Sequence, residues 1–138
     1  MRFYRICVII LCLLAVMPAH ALAQEQIRIL SNWGSRTARL ADNDAGRAFA
    51  RMLPLILEMY NQNGQELFGY LPSSLPEVPR QRDFHPGTLG VWRTTGFSIY
   101  YVNGIEPDPG FIPVGQIIGN ADVFFHPGML VIRIERID

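Results

Sequence analysis

Two copies of the tetrapeptide Phe-His-Pro-Gly, at residues 84–87 and 125–128, contain both histidines that follow residue 23. Histidine can act as an acid–base group or as a metal ligand. The same segment also suits a type II turn that begins at the histidine, with proline as the second residue of the turn and glycine as the third. A zinc site needs three or four converging ligands, and the chain has no His-x-His or His-x3-His spacing. We therefore interpret both segments as turns that lead into strands, and predict no metal site.

Other chemical motifs give little support for an enzyme. The chain has no Gly-x-Ser-x-Gly, Gly-x-Gly-x-x-Gly or P-loop pattern, so a serine hydrolase and a nucleotide site are unsupported, and we predict no cofactor. The carboxylates are scattered along the sequence. Glu66 is the most informative of them, because it should begin a strand directly after the turn at Asn63-Gly64. Spacing alone does not give it an acid–base partner.

Aromatic side chains are the stronger indication of a binding site. They concentrate on three predicted neighbouring strands, as Phe68, Tyr70, Trp92, Phe97, Tyr100 and Tyr101. Core packing explains most of them, but successive residues of a strand point to opposite faces, so Tyr100 and Tyr101 cannot both point inward. We predict a shallow apolar cleft near Tyr70, Trp92 and Tyr100 that would suit a peptide or a small apolar ligand.

Two polar residues complete the predicted ligand-binding set, Glu66 and Arg93. Arg93 follows Trp92 and is the only arginine of the aromatic cluster. A cross-strand salt bridge is the more usual role of an arginine at such a position.

Positioning such a cleft requires strands. Alternating apolar residues predict about eight of them, at 26–30, 35–41, 55–60, 66–70, 89–93, 97–102, 114–118 and 129–137. Asn63-Gly64 is the strongest hairpin signal, because both central residues of a type I′ turn need positive φ. Two proline-rich segments, 71–87 and 103–113, should be irregular surface loops. Many short strands with such turns indicate a mainly β sandwich or barrel, and a closed barrel leaves no exposed edge.

One short helix is predicted at about 44–53. Its apolar residues recur at helical spacing (Ala45, Ala48, Phe49, Met52 and Leu53). Any of residues 42–44 could cap the start, and Pro54 ends the helix because it has no N–H to donate. Arg47 and Arg51 should form a solvated face, and a ligand role for them is the alternative.

The first 23 residues have the parts of a secretory signal peptide. Arg2 and Arg5 precede an apolar run at 6–17, and an Ala-x-Ala pattern places the cut after Ala23, or after Ala21. The run is shorter than the ~20 residues that span a bilayer. We therefore predict a signal peptide at 1–23, a single domain at 24–138, and a secreted or periplasmic location with no stable membrane span after processing.

Composition limits the partners of that domain. The 138-residue chain has twelve arginines, no lysine and twelve acidic residues. Residues 24–138 contain ten arginines and twelve acidic residues, which gives a formal charge of −2. They contain no cysteine, which rules out disulfides and a cysteine nucleophile within this domain. Since there is no excess of positive charge, we predict no nucleic-acid partner.

The sequence resembles the bacterial cyclophilin-like proteins. The segment 40–55 (Leu-Ala-Asp-Asn-Asp-Ala-Gly-Arg-Ala-Phe-Ala-Arg-Met-Leu-Pro-Leu) is similar to their helix entry, and 61–72 (Asn-Gln-Asn-Gly-Gln-Glu-Leu-Phe-Gly-Tyr-Leu-Pro) to their hairpin. The later Pro-Gly turn, Trp92, Tyr100 and the Val-Gly-Gln-Ile run at 114–117 follow the same order. The resemblance covers about residues 27–135 and implies a small closed β-barrel related to the cyclophilins.

Two functions and a purely structural role remain open at this point, the structural role being an interaction domain that presents the proline-rich loops 71–87 and 103–113 to a partner. The first is an exported binding module for a small molecule or a peptide. The alternative is a divergent peptidyl-prolyl isomerase, since that is the activity of true cyclophilins. Their active-site pattern, an arginine followed at intervals by Phe-x-Met-x-Gln and a Gly-Asp pair, is not present here, so the resemblance transfers no catalytic residue.

Overall fold

The structure, a computed structural model, describes residues 24–137, which form ten strands, one α-helix and one short 3-10 helix, Asp122–Phe124. The predicted signal peptide lies outside these residues. The strands are β1 Gln26–Ser31, β2 Gly34–Leu40, β3 Leu55–Gln62, β4 Glu66–Tyr70, β5 Asp83–Phe84, β6 Thr88–Trp92, β7 Gly96–Tyr100, β8 Gly104–Ile105, β9 Phe111–Ile117 and β10 Met129–Arg136. The helix, α1, is Asp44–Met52. Over residues 24–137, no helix is long and apolar enough to cross a membrane.

Eight of the strands close into an antiparallel barrel in the order β1-β10-β3-β4-β7-β6-β9-β2. The barrel closes because β1 pairs with β2 on one side and with β10 on the other. A closed barrel satisfies the backbone groups that an open sheet would expose along its edges. The predicted fold class, a mainly β closed barrel of about eight strands with one short helix, is confirmed.

Strict alternation of apolar residues fills the barrel. The inward residues of β1 (Ile27 and Ile29) are buried, as are those of β3 and β10, which are Leu55, Leu57, Met59, Leu130, Ile132 and Ile134. The residues between them point outward, as a period of two requires. The main hydrophobic core therefore lies inside the barrel.

The helix begins and ends where the sequence predicts. Asn43 is the N-cap, because its side-chain oxygen accepts a hydrogen bond from the Gly46 amide at 2.7 Å. Phe49 turns inward and packs its ring against that of Phe97, with centroids 5.2 Å apart. Arg47 stays on the solvent side and pairs with Asp42 and Asp44.

The predicted turns adopt the expected backbone. Asn63 and Gly64 have φ values of 56° and 61°, as the two central residues of a type I′ turn require. Gly87 and Gly128, the last residues of the two Phe-His-Pro-Gly segments, also have positive φ. In the first segment the Thr88 amide donates to the His85 carbonyl at 3.0 Å, which closes the turn.

Several details of the predicted strands were wrong. The predicted 97–102 strand already ends at Tyr100. The proline-rich loops are not wholly irregular, because β5 in one pairs with β8 in the other as a small separate sheet. The predicted 89–93 strand ends at Trp92, since Arg93 has a φ of 54° and cannot continue it. The predicted 114–118 strand already begins at Phe111. It includes Pro113, which is tolerated where β9 carries one extra residue opposite β6.

Candidate functional site

The outer faces of β4, β7 and β6 form one continuous wall. Glu66 lies opposite Tyr100, Phe68 opposite Ser98 and Tyr70 opposite Gly96. The alternate residues of the same strands, Leu67 and Ile99 among them, are buried in the barrel core. A period of two thus separates the core from a set of polar and aromatic side chains on the outside.

A cleft of about 300 Å³ opens over this wall. Its lining residues are Gln62, Asn63, Gln65, Glu66, Phe68, Tyr70, Trp92, Ser98 and Glu106. We refer to it as the acidic cleft. The hairpin after β3, the wall strands and the loop before β9 each contribute to it. The sequence predicts a shallow apolar cleft here, whereas most of the lining residues carry amide, hydroxyl or carboxylate groups.

Glycine makes room for the aromatic part of the wall. A Cβ added to Gly96 would lie 2.8 Å from Phe68 Cε2, so the ring occupies the space of the missing side chain. Phe68 in turn meets Tyr70 edge to face, with ring centroids 5.2 Å apart. Tyr70 remains 68% exposed and Trp92 44% exposed, which leaves two large rings open beside the cleft.

A hydrogen-bonded chain joins two carboxylates in the acidic cleft. The side-chain amide nitrogen of Gln65 donates to Glu66 Oε2 at 2.6 Å and to Glu106 Oε1 at 3.1 Å. Tyr100 Oη donates to the same Glu106 oxygen at 3.0 Å. The two carboxylates therefore lie on either side of a single neutral amide group.

Burial and charge perturb the ionisation of these groups. Burial raises the pKa of Glu66 above its ordinary value of 4.5, the Gln65 hydrogen bond partly opposes this, and the nearby Glu106 carboxylate raises the pKa further. Burial, followed by the charges of Glu106 and Glu66, raises the pKa of Tyr100 far above 10. The Tyr100 hydroxyl consequently keeps its proton and acts as a donor. The arrangement can accept hydrogen bonds from a ligand and can take up a proton at Glu66.

Tyr100 lies beneath the cleft instead of lining it. It is 1% exposed, stacked on Phe84 at 4.1 Å and packed against Phe111 at 5.4 Å between ring centroids. These three rings form a small apolar cluster outside the barrel. The sequence indicates that one of Tyr100 and Tyr101 leaves the core. It does not reveal that β5 and its loop then cover Tyr100.

Arg93 does not line the acidic cleft but contacts Trp92, which does. Its guanidinium carbon is 4.4 Å from the centroid of the Trp92 ring, which is a cation–π contact. Among the described residues Arg93 forms no salt bridge, so the predicted cross-strand ion pair was wrong. The positive φ of Arg93 takes it out of the strand register that such a pair needs. Arg93 lines a second cavity of about 450 Å³, together with Arg80, Trp92 and residues 106–110.

Of the five residues predicted from the sequence, the structure brings Glu66, Tyr70 and Trp92 together in the acidic cleft. Tyr100 supports it from below through Glu106, and Arg93 faces the adjoining cavity. Gln65, Ser98 and Glu106 were not predicted as part of the set. Glu106 follows Glu66 by forty positions and lies in a proline-rich loop. The sequence around Glu106 indicates only its backbone, because a residue before a proline, here Pro107, favours an extended conformation.

The two histidines within residues 24–137, His85 and His126, lie apart from this cleft and from each other. His126 stacks on Trp33 with centroids 3.9 Å apart, while His85 lines a different cavity with Gln116 and Thr88. Within residues 24–137, no group of three or more His, Cys, Asp or Glu side chains is placed to hold a metal ion.

A small closed barrel with a polar and aromatic cleft on its outer wall is the class of protein that the fold defines. The sequence matches the model of the cyclophilin-like family over residues 29–135, most of the chain, and the protein therefore belongs to that family. The family resemblance predicted from the helix entry, the hairpin and the Trp92 strand is confirmed.

A solved structure supports the same fold. The hypothetical protein AF2241 from Archaeoglobus fulgidus, whose solution structure is known, superposes with a TM-score of 0.62 at 12% sequence identity. The match covers 83% of this chain and 96% of that protein. At this identity the likeness concerns the fold alone. No curated protein matches the sequence.

Proposed function

We propose that the protein is an exported binding module that takes a small molecule or a peptide in the acidic cleft. The observation that supports this most directly is the exposure of Tyr70 and Trp92 beside the carboxylates of Glu66 and Glu106. Large exposed rings next to converging polar groups are typical of ligand sites, where the rings supply contact area and the polar groups supply orientation.

The geometry also favours a site that is formed before the ligand arrives. Gln65 and Tyr100 fix Glu106 through hydrogen bonds, and strand pairing fixes Glu66 opposite Tyr100. A site held in this way loses little conformational freedom when a ligand binds.

The test uses Trp92 as a reporter. The chain has two tryptophans, so Trp33→Phe leaves Trp92 as the only one. In this variant of the chain from Gln24, small molecules and peptides are screened for a rise in melting temperature, and the hits for a change in Trp92 emission. We expect hits that change the emission and lose affinity in Tyr70→Ala. A ligand that raises the melting temperature, leaves Trp92 emission unchanged and binds Tyr70→Ala with undiminished affinity would bind elsewhere and contradict the proposal.

A second candidate function is a divergent peptidyl-prolyl isomerase. It is favoured by the pairing of an arginine, Arg93, with the exposed ring of Trp92 at the adjoining cavity. Uncatalysed isomerisation of an X-Pro bond takes tens of seconds or longer. An isomerase accelerates it with an apolar surface for the proline ring and an arginine near the proline nitrogen. X-Pro peptides with a true cyclophilin as positive control test this. Acceleration that is lost in Arg93→Ala but kept in Arg36→Ala would favour the enzyme, and no acceleration by a cooperatively folded protein would exclude it.

Export is part of the proposal and is tested separately. We expect the protein recovered from its own host to begin at Gln24 and to fractionate with the periplasm or the medium. An amino terminus at Met1 would contradict a cleaved signal peptide.

A further inference from the structure

We propose that the acidic cleft selects organic cations, binding an ammonium or guanidinium group between its two carboxylates and its aromatic rings. This rests on the proposed binding function and gives it a ligand chemistry. The cleft is lined by two carboxylates, three side-chain amides, two hydroxyls and three aromatic rings, one of which carries one of the hydroxyls, and by no arginine or histidine.

The first observation is a buried carboxylate without a counter-ion. Glu66 is only 7% exposed, yet among residues 24–137 no arginine pairs with it or with Glu106. Five other acidic side chains of the described chain have arginine partners, namely Glu25, Asp42, Asp44, Glu77 and Glu135. The remaining four, Glu58, Asp83, Asp108 and Asp122, have none among the described residues but are exposed to solvent, whereas Glu66 is buried. A buried charge without an opposite charge is unfavourable, so this site has a place for a cation that the protein itself leaves open.

The second observation concerns the remaining hydrogen-bonding capacity. Glu66 Oε2 accepts from Gln65, while Oε1 accepts no hydrogen bond from any described residue. A carboxylate has acceptor positions on both oxygens, so Oε1 is available to a donor in the cleft. Glu106 shares its bonded oxygen, Oε1, between Gln65 and Tyr100 and keeps Oε2 free of partners within the same part of the chain. An ammonium or guanidinium group carries several N–H donors and could reach both free oxygens.

The third observation is the type of wall. Cations are attracted to the faces of tryptophan and tyrosine rings, and Trp92 already attracts one in this protein, the Arg93 guanidinium at 4.4 Å. Tyr70 has no such partner among the aromatic–cation contacts of the described residues, and its ring is largely exposed. Carboxylates combined with open rings favour an organic cation over a neutral ligand.

The experiment measures binding of four probes by Trp92 emission in the Trp33→Phe background. The probes are a capped Gly-Lys-Gly peptide, the same peptide with Nε-acetyl-lysine, a capped Gly-Arg-Gly peptide and free 1,5-diaminopentane. We expect the cationic probes to bind and the acetylated one to bind at least about tenfold more weakly. A preference for the peptides over the diamine would indicate a peptide ligand, and the reverse a free amine. Because the interaction is electrostatic, affinity should fall as salt is raised.

Matched variants assign the effect to the cleft. Glu66→Gln keeps the shape and the Gln65 hydrogen bond but removes the charge, and should weaken cation binding about tenfold or more. Glu58→Gln, on the exposed outer face of β3, makes the same change in net charge and should leave binding unaltered. Tyr70→Ala removes an exposed ring and serves as a second variant should Glu66→Gln fail to fold.

The outcomes separate this inference from the function on which it rests. Equal binding of the lysine and acetyl-lysine peptides, or equal loss in Glu58→Gln and Glu66→Gln, would overturn cation selection. A neutral screening hit that changes Trp92 emission and ignores Glu66→Gln would also overturn it while leaving the binding function intact. If no probe changes Trp92 emission and the screening hits bind outside the acidic cleft, both the cation selectivity and the proposed binding function are contradicted.

Discussion

Tyr100 Oη donates a hydrogen bond to Glu106 Oε1 over 3.0 Å, and this bond ties a residue of the barrel wall to the proline-rich loop that forms one side of the acidic cleft. Tyr100 is held between Phe84 and Phe111, so the position of its hydroxyl is set by packing. Glu106 thereby gains a fixed position although it lies outside the strands.

Tyr100→Phe should destabilise the fold by about 1 to 2 kcal/mol, because it removes a hydrogen bond to a charged acceptor while keeping the ring. Urea denaturation of the chain from Gln24 measures the change. Tyr60→Phe is the matched control, since Tyr60 is exposed on the outside of β3 and should change stability by less than about 0.5 kcal/mol. Equal effects from the two substitutions would contradict a role for the Tyr100–Glu106 bond.

The raised pKa of Glu66 predicts a pH dependence of stability. Because burial and then Glu106 raise its pKa in the folded state, the folded protein holds this proton more tightly than the unfolded chain does. The stability that Glu66 contributes is therefore fully present below its ordinary pKa of 4.5, and is lost as pH rises through the raised value.

Glu66→Gln, which cannot ionise, should gain stability relative to the parent protein as pH rises from 4.5 through the raised pKa of Glu66. Urea unfolding at a series of pH values measures this, with Glu58→Gln as the control that should show no such trend. A difference between Glu66→Gln and the parent that is constant over the range would contradict the raised pKa.

Asn43→Ala should cost about 1 to 2 kcal/mol, since the side chain both caps α1 through Gly46 and donates to the Pro113 carbonyl of β9 at 3.0 Å. Asp42→Ala is the adjacent control and removes only an exposed ion pair with Arg47, which should cost at most about 0.5 kcal/mol. The comparison uses denaturant midpoints and slopes. A larger loss in Asp42→Ala than in Asn43→Ala would contradict the assignment of the cap.

Gly90→Ala should destabilise the protein by about 1 to 3 kcal/mol, because the added Cβ would lie 2.5 Å from Phe111 Cδ2 in a fully buried contact. A double-mutant cycle with Phe111→Leu tests the cause. If the ring is responsible, Gly90→Ala should cost clearly less in the Phe111→Leu background. Purely additive effects would show that the cost arises from the backbone.

The sequence allows the barrel to be predicted well because its information is local. Alternation at Leu55, Leu57 and Met59 identifies a strand face, and Asn63-Gly64 identifies a hairpin without reference to the rest of the chain. The limits are equally physical. Pairing of β5 with β8 joins two loops whose residues show no periodicity, and two-residue strands leave no pattern to detect.

In the candidate site, residues on paired strands could be predicted from the sequence and residues of the loops could not. Tyr70, Trp92 and Glu66 were accessible to prediction because they occupy alternating positions on strands that register brings together. Glu106 was not, since it lies in a loop without periodicity and its place depends on hydrogen bonds from Tyr100, six residues away, and from Gln65, 41 residues away. The covering of Tyr100 by Phe84 is likewise a tertiary contact that no local pattern encodes.

The closure of the barrel through β1 and β10 has a consequence for how the chain acquires its fold. Ile29 of the first strand pairs with Ile134 of the last, so the final seam joins segments from opposite ends of the described chain. Contacts between such distant segments form slowly because they close a long loop. The barrel cannot be completed until β10 lies between β1 and β3, so this eight-residue strand is the one whose pairing closes the barrel.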